Sequence, residues 1–172
     1  SPLAIRHSPF GPPAPVFCEW RMATRKGACP VPGSRGSLGA GLPLGSDTML
    51  SKVWSAATHG IDAVRIVIEV DGGGYSAQPG FTLVGLPDAA VRESYSRVRS
   101  ALHNCGLYLP PRHITVNLSP ADVRKEGSRF DLPIAVGILQ ALEFLGEEHV
   151  RGRVFVGELS LDGTLTAVRG TL

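Results

Sequence analysis

Residues 113–146, HITVNLSPADVRKEGSRFDLPIAVGILQALEFLG, decide how the rest of the chain is read. Ile114, Val116 and Leu118 alternate with Thr115, Asn117 and Ser119, the two-residue period of a strand with one buried face. From Asp131 the pattern changes. Leu132, Ile134, Ala135, Val136, Ile138, Leu139, Ala141, Leu142 and Leu145 are apolar nearly all round, as in a helix packed deep in a core. Between the two lies SPADVRKEGSRF, a polar loop holding Gly127 and the cations Arg124, Lys125 and Arg129. It ends at Asp131, read as the helix N-cap. A strand, a charged loop and a helix N-terminus in succession form the expected place for function.

Working back from this stretch, Val91, Tyr95, Val98, Leu102 and Cys105 recur at spacings of four and three, which predicts an amphipathic helix. Pro87 suits its first turn and Gly106 its C-terminal stop. Arg92, Glu93, Arg97 and Arg99 fall on the remaining positions and read as a solvated face. Arg92 and Arg99, seven residues apart on a similar side, are candidates for binding. Tyr108, Pro110 and Pro111 make a stiff link into the central strand. Further upstream, Val64, Ile66, Ile68 and Val70 alternate with Arg65, Val67, Glu69 and Asp71, predicting another strand. The turn-rich DGGGYSAQPG follows, and Phe81, Leu83 and Gly85 resume an extended pattern, so a long hairpin is expected. Gly72, Gly73 and Gly74 are no phosphate cradle. That chemistry needs GxxxxGK followed by Ser or Thr, and the chain contains no Gly-Lys pair.

Downstream, GEEHVRG reads as a surface turn. Val154, Val156 and Glu158 to Leu161 lead to Asp162-Gly163, a hairpin signal, with Leu165 to Val168 as the return strand. The expected order is β, β, α, β, α, β, β. It implies an α+β, two-layer architecture with helices packed on one sheet and no internal repeat.

With 172 residues, 43% hydrophobic content and mean hydropathy of +0.10, the chain fits one domain of about 100–150 residues plus an extra segment. No run approaches the ~20 apolar residues of a membrane span, and no signal-peptide pattern opens the chain, so a cytoplasmic location without membrane partners is expected. Cys18, Cys29 and Cys105 form no CxxC pair; Cys105 lies on the apolar stripe of its helix and reads as a buried thiol. Residues 1–48 carry eight prolines, seven glycines, five cations and two acids, without helical or strand periodicity. Such a segment cannot offset an ordering entropy of ~1–2 kcal/mol per residue, and disorder is expected. Residues 49–172 carry twelve cations and thirteen acids, so bulk charge is no argument for nucleic acid.

The runs GFTLVGLPDAAVRESYSRVRSAL, ITVNLSPADVRKEGSRFDLPIAV and VFVGELSLDGTLTAVRG resemble the N-terminal domain of the ComM/YifB family of magnesium-chelatase-like AAA+ ATPases. The resemblance covers roughly Met49 to Leu172. It implies a fold similar to the proteolytic domain of Lon and to domain 2 of ribosomal protein S5, with the ATPase module, and its ATP and magnesium, further along in the family. It also implies homo-oligomeric rings and action on DNA through the full-length protein. Because the resemblance starts at Met49, residues 1–48 read as a leader upstream of the native start. The alternative is a genuine flexible tail, binding nucleic acid weakly through Arg21, Arg25, Lys26 and Arg35.

The likeness to Lon raises a serine-lysine peptidase. Lon-type enzymes read lysine, acid, glycine, proline, serine, alanine, glycine at this loop, where the chain has Lys125 to Asp131. The nucleophile position falls on Arg129, which cannot attack a carbonyl, and the base position falls near Leu172, where no lysine stands. A substitute dyad of Ser128 with Lys125 is disfavoured, because an exposed lysine near pKa ~10.4 is a poor base. His59, His103 and His113 stand on separate elements, so no metal site is expected. Asp122, Glu126 and Asp131 are expected to pair with the interleaved Arg124, Lys125 and Arg129. The resemblance therefore implies a non-catalytic accessory domain. Its interaction residues are Arg124, Lys125 and Arg129, with Arg92 and Arg99, and they would meet a neighbouring subunit or the DNA backbone. The other readings are a residual peptidase and an RNA- or ribosome-associated module, the latter disfavoured by the near-neutral charge.

Overall fold

The computed structural model describes residues 50–59, 62–166 and 168. The expectations about residues 1–48, Cys18, Cys29 and the position of Leu172 lie outside the described residues. Strand β1 (Leu50–His59) and strand β2 (Asp62–Asp71) form a long antiparallel pair, from Leu50 opposite Asp71 to His59 opposite Asp62. β1 carries little apolar alternation: its inward positions are Ser51, Val53, Ser55 and Ala57. Small residues are required there because a helix passes very close. The Ser51 hydroxyl donates to the Gly137 carbonyl at 2.7 Å, and a Cβ on Gly137 would lie 2.6 Å from Val70 Cγ2.

The main sheet has the order β1-β2-β4-β3, with β3 spanning Gly80–Val84 and β4 spanning His113–Ser119. The expected hairpin between β2 and β3 does not form. β4 lies between them, antiparallel to β2 and parallel to β3. Its inward residues Ile114, Val116 and Leu118 are all buried, as suits a strand in the interior of the sheet. The glycine run steps over the end of β4 instead of turning back. Gly73 sits at φ +51°, Arg112 donates to its carbonyl, and the Arg112 guanidinium lies 4.3 Å from the Tyr75 ring centroid.

Helix α1 (Ala89–Asn104) begins at Asp88, whose carboxylate accepts the Val91 N–H at 2.8 Å; Pro87 stands one residue outside the cap. It closes on Gly106 at φ +75°, with the Gly106 N–H donating to the His103 carbonyl at 2.8 Å. Val91, Val98, Leu102 and Cys105 are buried as expected, and Tyr95 stacks on Phe81 with centroids 4.1 Å apart. Helix α2 (Asp131–Ala141) follows a 3-10 turn at Ser128–Phe130. Its N-cap is Phe130 and not Asp131, because the Asp131 carboxylate is buried against α1. α2 ends before Leu142 and Leu145, which stay in the core through a reversal at Glu143, φ +60°. Where a plain surface turn was expected, Glu147–His149 form a 3-10 turn and Val150 is buried.

The last two strands form a sheet of their own: β5 (Glu158–Leu159) pairs with β6 (Leu165–Thr166) around the expected Asp162-Gly163 turn. The main sheet meets this segment at a bridge between Trp54 and Val154, where the Phe155 N–H donates to the Trp54 carbonyl at 2.8 Å. The chain leaves the β1 edge because Gly157 is held at the start of α2. Its N–H donates to the Arg129 carbonyl and its carbonyl accepts the Leu132 N–H. The described residues thus form a mixed α/β unit: a four-stranded sheet, two helices and a small second sheet, instead of one sheet alone. Among them no helix is long and apolar enough to cross a membrane.

Gly85, at φ +100° directly after β3, is pressed against the Leu118 carbonyl. Gly85→Ala adds both left-handed backbone strain and a backbone clash and is expected to cost about 2–4 kcal/mol in urea unfolding. Gly127→Ala, at φ +79° and ψ 174°, a backbone region essentially confined to glycine, should cost about 1–3 kcal/mol from strain alone, since nothing lies within 4 Å of the added carbon.

Candidate functional site

The loop after β4 is fastened to the start of α1 by one side chain. Besides capping α1, the Asp88 carboxylate accepts the Gly127 N–H at 3.0 Å. The backbones join too: the Asp88 N–H donates to the Lys125 carbonyl at 3.1 Å, and the Lys125 N–H to the Leu86 carbonyl at 3.3 Å. A charged loop of this composition would wander in solution. Here a carboxylate and a short bridge hold it in place.

The three loop cations are not equivalent. Lys125 is fully buried, and its ammonium donates to the Pro120 carbonyl. Burial pushes its pKa below the ordinary 10.5, against a smaller opposing pull from Asp122. This corrects the expectation of an exposed lysine near its usual pKa. Val123 and Lys125 alternate with the exposed Arg124 and Glu126, a period-two signal legible in the sequence. Arg129 is half-buried and donates to the Thr58 hydroxyl at 3.1 Å, tying the start of α2 to the end of β1. Only Arg124 of the three is exposed. It pairs with Glu126 at 3.1 Å, where 72% and 66% side-chain exposure limit the pair to about 0–1 kcal/mol.

Arg92 and Arg124 meet at one cleft of about 420 Å³, lined also by Leu86, Pro87, Asp88 and Ala89. Leu86 is 59% exposed, held at φ +54° by the kink after Gly85. Arg99 lines a different cleft of about 440 Å³ with His103, Asn104 and Tyr108. Seven residues of helix separate Arg92 from Arg99 by about 10 Å, so shared facing does not make a shared site.

Ser128 and Lys125, the disfavoured substitute dyad, are each engaged elsewhere. The Ser128 hydroxyl donates to the Glu158 carboxylate while the Lys125 ammonium donates to Pro120, and no hydrogen bond joins the two. The local pairing expected for the acids holds only for Glu126. Asp131 pairs with Arg97 of α1, which was read as part of a solvated face. Arg97 Nε lies 2.7 Å from Asp131 Oδ2 and Nη2 lies 2.9 Å from Oδ1, a two-pronged contact to a carboxylate with no solvent exposure. This carboxylate raises the guanidinium pKa further above its ordinary value. No pattern within α1 distinguishes Arg97 from its neighbours, since the partner lies on another helix.

The glycine run does not fit a nucleotide phosphate. The Gly73 N–H is already taken by the Asp71 carboxylate at 3.0 Å, a negative group where a phosphate would have to sit. Among the described residues, no three of the His, Cys, Asp and Glu side chains stand together as metal ligands. His113 hydrogen-bonds Thr82 at 2.9 Å, and His103 meets Tyr108 edge-on at 5.0 Å.

Residues 68–172 match the family described as subunit ChlI of Mg-chelatase. The chain is also similar to the competence protein ComM of Haemophilus influenzae, 50% identical over 123 residues. The YifB proteins of Salmonella typhimurium and Escherichia coli, both described as uncharacterized, are 46% and 45% identical over the same length. In each case the match covers 72% of this chain and 24% of the relative, so the chain spans about a quarter of the length of these curated relatives.

Two variants test this geometry. Arg97→Ala strands a buried carboxylate and is expected to cost about 3–5 kcal/mol in urea unfolding, with Arg97→Lys recovering only part, since an ammonium lacks the planar fork. Lys125→Met removes a buried charge and is expected to stabilise by about 1 kcal/mol at neutral pH. The folded-state pKa of Lys125 is lowered, so the cost of its charge is present in full below that value. The cost shrinks as pH rises from there towards 10.5, and the advantage of methionine should fade across that window when urea midpoints are compared.

Proposed function

The chain belongs to the family of subunit ChlI of Mg-chelatase, and we propose that residues 49–172 serve as an interaction domain, without hydrolytic chemistry of their own, in a cytoplasmic protein of ComM/YifB type. In this reading the domain has the Lon-like, S5 domain 2-like fold, and ATP, magnesium and DNA are handled by other parts of a longer, ring-forming AAA+ protein that remodels DNA. The observation that carries the non-hydrolytic reading is the commitment of Ser128 to Glu158 and of Lys125 to Pro120, which leaves neither free to activate the other. The relative named as a competence protein supports the association with DNA handling at the level of the whole protein.

Arg92 and Arg124 are the contact point, and the partner there is a polypeptide rather than DNA. Lys125 is buried and Arg129 is occupied by Thr58, so the cleft offers two cations, which at roughly 0.9 in log-log salt slope per phosphate contact make a weak hold on DNA. In the full-length protein, Arg92→Glu with Arg124→Glu is expected to reduce self-assembly in sedimentation velocity while leaving the salt slope of DNA binding unchanged. Intact assembly together with a slope lowered by roughly 0.9 per residue would replace the polypeptide by DNA.

A further inference from the structure

β3 is the last strand of the main sheet, and among the described residues no strand pairs with its other side. Natural edges of this kind are usually guarded by lysine, by inward charges or by a bulge. This one is not. Residues 72–87, which contain β3, include no Asp, Glu, Lys or Arg, and Thr82, Val84 (43%) and Leu86 (59%) are exposed. The Gly80 N–H donates to the Arg112 carbonyl, so the backbone groups of Gly80, Thr82 and Val84 face β4 and those of Phe81 and Leu83 face outward. The strand is also rigid: Phe81 is stacked on Tyr95, and Gly85 is locked against Leu118. β3 runs directly into the cleft where Leu86 stands beside Arg92 and Arg124.

We infer that β3 is a docking edge for an extended polypeptide segment, uncharged along the strand and carrying a carboxylate that reaches the cleft of Arg92 and Arg124. The outward N–H and C=O groups of Phe81 and Leu83 supply the main-chain bonds of an added strand, and the two guanidiniums select its charged end. Charge complementarity sets the chemistry. A guest with charges along its length would have to desolvate them against the uncharged edge, whereas a carboxylate past Leu86 meets two arginines: Glu126, which pairs with Arg124, is exposed, and the Asp88 carboxylate in the same cleft is engaged by the Val91 and Gly127 N–H groups. The carboxylate can come from a chain terminus, if the guest lies parallel to β3, or from an Asp or Glu side chain. The inference rests on the reading of the domain as one that binds without cutting.

The test uses the full chain and a fluorescein-labelled peptide, Gly-Val-Thr-Val-Thr-Leu-Asp, followed by fluorescence anisotropy. Saturable binding is expected, lost when the two valine nitrogens are methylated and weakened roughly tenfold when all carboxylates are neutralised. Comparing the C-terminal amide with the Asp-to-Asn peptide separates the two sources of the carboxylate. Val84→Lys, at an exposed position, should abolish binding. Arg92→Ala with Arg124→Ala should erase the difference between charged and neutral peptides while strand-dependent binding remains. Absence of binding, or equal binding of the N-methylated peptide, overturns the docking edge and leaves the non-hydrolytic reading standing. Cleavage of the bound peptide, seen by mass spectrometry, would overturn the non-hydrolytic reading and leave the docking edge standing. Self-association abolished by Val84→Lys without any peptide binding would make the occupant a folded face of a second copy instead of an extended segment, and would overturn the docking edge.

Discussion

A single buried carboxylate holds the two helices and the second sheet in register. Asp131 has no solvent exposure, and a bare charge there would be costly; Arg97 answers it with two short contacts from the middle of α1, and the Leu159 N–H of β5 stands 3.5 Å away. The pair lies between the helix packed on β1 and β2 and the helix whose Tyr95 stacks on Phe81 of β3, so relative sliding of either helix would expose or orphan the charge. The apolar surfaces around it supply most of the driving force, but apolar contact is tolerant of small shifts, and a forked ion pair is not.

A second carboxylate does similar work at the loop. Asp88 begins α1 and also grips Gly127, so the position of the cleft is set by the same residue that sets the start of the helix. The consequence for charge is selective. Lys125 is turned inward and Arg129 is engaged by Thr58, while Arg92 and Arg124 are left exposed at one cleft beside an exposed leucine. In the proposed reading these two arginines are a small contact point at the end of an uncharged strand, which would suit a peptide better than a nucleic-acid backbone that rewards number and spread of positive charges.

The proposed non-hydrolytic reading of this domain rests on two hydrogen bonds. The serine nearest the expected nucleophile position faces a carboxylate, and the lysine whose proton affinity is lowered by burial faces a carbonyl. A lowered pKa makes a base only where a proton waits to be taken, and the Lys125 ammonium is hydrogen-bonded to the Pro120 carbonyl instead.

The strand at 113–119, the two helices, the Asp162-Gly163 turn and the buried faces of α1 and α2 were determined by local pattern, because each depends on the spacing of apolar residues within one segment. β1 escaped that logic, since its inward side is small and polar to let α2 approach through Gly137. The insertion of β4 between β2 and β3, the separation of the last hairpin, the pairing of Arg97 with Asp131 and the burial of Lys125 were decided only in three dimensions. Each of these joins residues far apart in the chain. A charge reads as solvated until the element that covers or pairs it is in place, and one sequence does not state which elements will be neighbours.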